Sequence, residues 1–255
     1  MLQKMRKYQF LFEELVKRDF KKKYKRAVLG MFWSVLSPLL MLLVMSLVFT
    51  QFFGRSTPHY TIYLFSGQLV FSYFTDATNS GMSSLMDNST IFSKINVPKY
   101  MFLLSKNVSS FINFCLTLVV FLLFVAIDGI PFRWTFLLLL YPIGCLVVFN
   151  IGMGLILSAL YMVFKDVKYL YTVVTQVIMY FSAIFYNIEA FSLHIRYLFY
   201  LNRIFVYILY LRKIVIENDI PEPSFHLLCA FYALVVLLIG AFIYKKYNYK
   251  FLYYV

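Results

Sequence analysis

Six stretches of this sequence contain no Asp, Glu, Lys, Arg or His, and they constrain the fold more than any other feature. They cover residues 27–53, 60–75, 107–127, 134–164, 169–188 and 227–244. A bilayer core of ~30 Å takes about 20 apolar residues as a helix. Lipid offers the backbone no hydrogen bonds, so such stretches cross it as helices. The reading is an all-α membrane protein with six transmembrane helices. It forms one membrane domain over 27–255, with a cytoplasmic amphipathic segment at 1–26. The stretch 60–75 is the weakest, carrying Gln68 and several hydroxyls, and Pro38 and Pro142 are expected to kink their helices.

The chain has 255 residues, 62% of them hydrophobic, and a mean hydropathy of +0.76. Soluble domains lie nearer 45–50% apolar. A net charge of +13 could suggest nucleic acid. The basic residues flank apolar stretches, however, so no nucleic-acid partner is expected. An even number of spans puts both termini on one side. With both in the cytoplasm, 18 of the 24 Lys and Arg residues fall inside, which sets the orientation. The polar, basic opening is too long for the n-region of a cleaved signal, so none is expected.

Within 1–26, Tyr8, Phe12, Leu15 and Val16 share one helical face ahead of a basic run from Lys17 to Arg26. Such a helix lies in the membrane interface. The loop 76–106 is expected to hold a short helix ending before Pro98. Residues 187–225 mix aromatics with Arg196, Arg203, Arg212 and Lys213. Two short re-entrant helices on the outer leaflet fit this better than a seventh span, which would bury Arg203 at about 2.5–3.5 kcal/mol.

Catalytic signals are missing. There is no phosphate loop, no H-E-x-x-H and no G-x-S-x-G. His59, His194 and His226 are scattered, and Cys115, Cys145 and Cys229 read as small buried hydrophobes, so no metal or catalytic site is expected. Proton- or sodium-driven transporters place ionisable relays in their spans. A transporter without them takes its energy from another subunit.

The run from Arg18 to Leu39 reads R-D-F-K-K-K-Y-K-R-A-V-L-G-M-F-W-S-V-L-S-P-L. It resembles the R-D-x-K-x-[KR]-Y-…-L-G-x-x-W-x-x-L-x-P-L opening of membrane (permease) subunits of ABC polysaccharide exporters, which serve O-antigen, teichoic acid, rhamnan-type and capsular polysaccharides. Phe164-Lys165-Asp166 and Tyr186-Asn187-Ile188 resemble further family motifs. Leu201-Asn202 resembles the family's L-N-P, but Arg203 replaces the proline and puts the local turn in doubt.

The resemblance implies a multi-pass subunit of the cell membrane that is not itself an enzyme. Two copies would form a channel, and two separate ABC ATPase subunits would bind ATP and Mg, with no cofactor in this chain. The cargo would be a polysaccharide on a polyprenyl-pyrophosphate lipid, moved outward. Residues 83–94 would touch the ATPase, with Ser83, Met86, Asp87, Ile91, Phe92 and Lys94 as candidates and Met86, Ile91 and Phe92 as apolar plugs. Arg18, Lys21, Lys25 and Arg26 would attract the pyrophosphate or anchor to anionic lipid. Sugar rings stack their C–H faces on aromatics, so Phe32, Trp33, Tyr63, Phe71, Tyr73, Tyr180, Phe181, Phe185 and Tyr186 are candidate channel residues. A drug or antibiotic exporter of the same superfamily is an alternative. So is a membrane enzyme acting on lipid-linked sugars, which would need acidic or His residues gathered at one face.

Overall fold

The computed structural model describes residues 8–24, 29–53, 58–249 and 251, and these are helical with no strand among them. Helix α1 covers Gln9–Tyr24. A 3-10 turn at Gly30–Phe32 leads into α2, Trp33–Phe53, which runs on through Pro38. Helix α3 covers Tyr60–Asp87 and the single turn α4 covers Ser89–Phe92. Helix α5 covers Tyr100–Ile127. A 3-10 segment at Trp134–Leu139 leads into α6, Leu140–Val163, followed by α7, Val167–Tyr180. Two short helices follow: α8, Leu193–Leu201, and α9, Arg203–Arg212, which ends in a π turn. Helix α10, Pro223–Tyr247, begins with proline in its first turn, where a missing N–H costs nothing.

Among the described residues, three helical segments are long and apolar enough to cross a bilayer: Tyr100–Ile127, Trp134–Val163 and Pro223–Tyr247. Trp33–Phe49 is a shorter apolar helix. Helix α3 does not stand out as apolar because it is the centre of the molecule. Helices α2, α5, α6 and α9 pack around it. Its hydroxyls bond back to its own turns, Ser66 to the Tyr63 carbonyl and Thr78 to the Phe74 carbonyl, both at 2.7 Å. Polar residues that face protein and satisfy themselves need no apolar surroundings.

The same back-bonding corrects the expected loop at 76–106. Asn79 donates to the Thr75 carbonyl and Ser80 to the Asp76 carbonyl, so α3 continues to Asp87. Only residues 88–99 separate α3 from α5, and they hold the one-turn α4. Pro142 lies in the first turn of α6 and does not interrupt it.

Close crossings depend on glycine. A Cβ on Gly240 of α10 would sit 2.4 Å from the Gly152 carbonyl oxygen of α6. One on Gly81 of α3 would sit 3.1 Å from the Gly154 Cα. Small residues let helix backbones meet in this way.

Two short helices do follow α7, and their surroundings differ. Helix α8 is largely exposed, but α9 is enclosed by protein, packed on α3, α6 and α10. The Tyr207 hydroxyl donates to the Cys229 carbonyl at 3.0 Å, and the Tyr210 hydroxyl pairs with His226 Nε2 at 2.8 Å. Asn202 caps α9 by accepting from the Ile204 N–H at 3.0 Å. Arg203 therefore occupies the first helical position, which also suits proline, so the turn survives its replacement.

Arg212 closes this region and is only 3% exposed. Its guanidinium donates to the carbonyls of Ala183 (2.9 Å), Tyr63 (3.1 Å) and Ile184 (3.2 Å) and to Ser66 Oγ (3.2 Å). It also lies 3.4 Å over the Tyr63 ring. No carboxylate pairs with it among the described residues. The chain folds back at Ala183, whose φ is +47°, onto this cation.

Candidate functional site

A groove of about 530 Å3 opens between α2, α3 and α5. Trp33 of α2, Phe65 and Tyr73 of α3 and Phe114 of α5 supply its rings. Tyr73 and Phe114 pack at 4.6 Å between ring centres. Hydroxyls and amides alternate with the rings: Ser34, Ser37, Gln68, Ser72, Asn113 and Thr117. Gln68 donates to Ser72 Oγ at 2.9 Å, while its own Oε1 has no partner among the described residues. Pro38 lines the groove too. Periodicity explains the lining, because Phe65, Gln68, Leu69, Ser72, Tyr73 and Asp76 repeat at three- and four-residue steps on one face of α3.

The groove does not stop there. A second hollow of about 280 Å3 shares Asp76, Ser110 and Asn113 with it and adds Asp19, Lys22, Asp87 and Lys106. The combined track runs from a charged mouth to a neutral, ring-lined stretch. Such a lining suits a neutral or anionic hydroxyl-rich chain, which needs flat apolar faces and many weak hydrogen bonds but no fixed countercharge.

At the mouth, α1 is fastened to the bundle. Asp19 is buried and accepts from Arg18 (2.8 Å) and Ser105 (3.2 Å), with Lys106 at 3.7 Å. Arg18 also donates to Asn88 Oδ1 at 2.8 Å, and Lys106 pairs with Asp87 at 3.2 Å. Leu15 is buried against Leu85, Phe92 and Phe102. The apolar face of α1 thus meets protein. Arg18 is committed to Asp19 and Asn88, Lys21 is exposed on α1, and Lys25 and Arg26 lie outside the described residues.

The segment 83–94 is split between α3 and α4. Ser83 donates to Asp87 at 3.0 Å. Met86 and Ile91 are half-buried, and Phe92 is 5% exposed and packed on Phe102. The three apolar plugs are therefore turned inward. The exposed face belongs to Asp87, Thr90, Ser93, Lys94 and Ile95, with Ile95 at 56%. Phe92 was a candidate through the family resemblance, which carries no information on which way its ring turns.

The channel aromatics also divide. Trp33 and Tyr73 line the groove, and Phe65 and Phe114 join them although the sequence reading did not single them out. Phe181 lines a separate hollow of about 310 Å3 with Phe74 and Phe149. Tyr63 and Tyr186 hold the fold after α7: the Tyr63 hydroxyl donates to the Tyr186 carbonyl at 2.6 Å, and that of Tyr186 to the Tyr180 carbonyl at 2.6 Å. Phe185 stacks on Phe49 at 4.7 Å and Phe71 is buried beside Phe74. Phe32 and Tyr180 are exposed.

Residues 11–216 match the model of the ABC-2 type transporter family. An O-antigen export system permease protein, RfbA of Klebsiella pneumoniae, is 25% identical over 247 residues, 95% of each chain. RfbA of Myxococcus xanthus is 27% identical over 173 residues, 67% of this chain and 65% of that one. The polysialic acid transport protein KpsM of Escherichia coli is 22% identical over 238 residues, 91% of this chain and 92% of that one.

Proposed function

We propose, on the premise that the chain belongs to the ABC-2 type transporter family, that this multi-pass membrane protein is the permease subunit of a polysaccharide exporter. The observation that carries the reading is the groove between α2, α3 and α5, with four rings set among hydroxyls and amides. Relatives named for O-antigen and polysialic acid agree in cargo class. The glycan travels outward on a polyprenyl-pyrophosphate carrier.

The sequence has no phosphate loop, so ATP and Mg belong to two separate ATPase subunits. These dock on the Asp87–Ile95 side of the protein, where the exposed face of α4 supplies the contact. Two copies of the chain pair to complete the channel. In this reading α2, α3, α5, α6, α7 and α10 are the six spans and both termini are cytoplasmic.

The test is co-expression with a candidate ATPase in cells lacking their own exporter, scoring surface glycan. Trp33→Ala should abolish most export at unchanged protein level. Unaltered export by that variant would remove the groove from the pathway.

A further inference from the structure

A further cavity, of about 740 Å3, lies where the start of α1, the 93–99 loop and the last turns of α10 meet, and it shares no residue with the groove. Among the described residues, its charged lining residues are Lys99 and Lys245, with no carboxylate. The walls are apolar, with Phe92, Val97 and Leu155. Lys99 donates to the Asn248 carbonyl at 2.8 Å and sits 5.5 Å from the centres of the Phe92 and Phe251 rings. Burial pulls its ammonium below the ordinary lysine range, with no carboxylate to restore it among the described residues. Tyr244, which also lines the cavity, buries a hydroxyl that has no partner among the described residues. Buried hydroxyls usually find one.

We infer that this cavity binds the phosphate headgroup of an anionic phospholipid, with Lys99 and Lys245 on the phosphate and the apolar wall along the chains. Two cations, a spare hydroxyl and an apolar wall match an anionic amphiphile better than a free ion, which would leave the wall uncovered. The site stands at the end of α10 that carries Lys245 and Lys246, where anionic leaflets attract basic segments. A lipid seated there touches α1, the loop after α4 and α10 at once. It would fasten the proposed ATPase-facing segment to the membrane, but its binding does not rest on the transport reading.

The test is native mass spectrometry of the full chain in non-ionic detergent with added phosphatidylglycerol, phosphatidylcholine or inorganic phosphate. The wild type should retain phosphatidylglycerol about five-fold or more over phosphatidylcholine. Lys99→Gln, Lys245→Gln and Ala241→Trp should each lower that retention about five-fold. Ala241 and Lys245 are exposed, so at least two of these variants fold normally. The pair Lys165→Gln with Lys168→Gln, remote from the cavity lining, should change nothing. Equal retention of the two lipids, or equal loss in the remote pair, overturns the proposal. Displacement of phosphatidylglycerol by millimolar inorganic phosphate overturns it in favour of a free-phosphate site.

Discussion

Arg18 Nη2 donates to Asn88 Oδ1 at 2.8 Å across 70 residues of sequence. This bond, with the buried Asp19 beside it, ties α1 to the junction of α3 and α4. Asp19→Asn removes the charge that Arg18, Ser105 and Lys106 share. Losing a partly buried charged hydrogen-bond centre should cost about 2–3 kcal/mol. The expected outcome is a lower melting temperature in detergent, with α1 becoming protease-sensitive first. Arg18→Lys should retain part of the stability but not the second bond to Asn88.

Phe92 and Ile95 separate folding from docking. Phe92→Asp places a carboxylate in the Phe102 contact and should give little folded protein. Ile95→Asp, on the exposed face, should leave the melting temperature within about 0.5 kcal/mol of wild type. It should still reduce glycan export and ATPase stimulation in the complex. Normal export by Ile95→Asp would move the ATPase contact elsewhere.

In the groove, removing a ring and removing a hydroxyl should differ. Trp33→Ala should lower export about five-fold, through loss of a stacking face worth ~1 kcal/mol as each sugar passes it. Tyr73→Phe keeps the ring against Phe114 and should lower it less than three-fold. Surface glycan at matched protein level is the measurement. A larger loss from Tyr73→Phe would show that the buried Tyr73 hydroxyl keeps the groove wall in shape.

Gly240→Ala should abolish folding, because its methyl would meet the Gly152 backbone at 2.4 Å. Gly144→Ala lies in the same helix as Gly152, but with nothing within 4 Å, and should gain helix propensity. Fluorescence-detected size exclusion of the two variants side by side checks the contrast.

Arg212→Met should leave the Ala183 and Ile184 carbonyls without their donor and cost about 3 kcal/mol or more. Limited proteolysis should then cut first within 182–192. Gly67→Ala probes the same packing, since its methyl would lie 2.9 Å from the pinned Arg212 Nη2 and 3.3 Å from the Ile184 Cα, and should also destabilise.

The helical class, the apolar character of α5, α6 and α10, and the existence of α1 were legible from composition and period alone. What the sequence could not distinguish was protein from lipid as the surroundings of an apolar helix. Residues 203–212 read as amphiphilic surface and are the best-enclosed short helix, because Tyr207, Tyr210 and Arg212 find partners on distant segments. The inward turn of Phe92 depends on Phe102, ten residues on and around a corner. Trp33 and Tyr73 were legible as groove residues only as members of a longer aromatic set. Phe65 and Phe114 were missed because a ring facing a groove and a ring facing lipid have the same spacing. Gly81 and Gly240 carried no local signal, since their reason lies in Gly154 and Gly152.

The crossing of α6 and α10 at Gly152 and Gly240 leaves no side-chain layer between the two backbones. Sliding would drive a neighbouring side chain, such as that of Leu155, into this backbone contact. The pair therefore serves as a stator, moving as one block if it moves. Any opening wide enough for a polymer then falls to helices outside this pair.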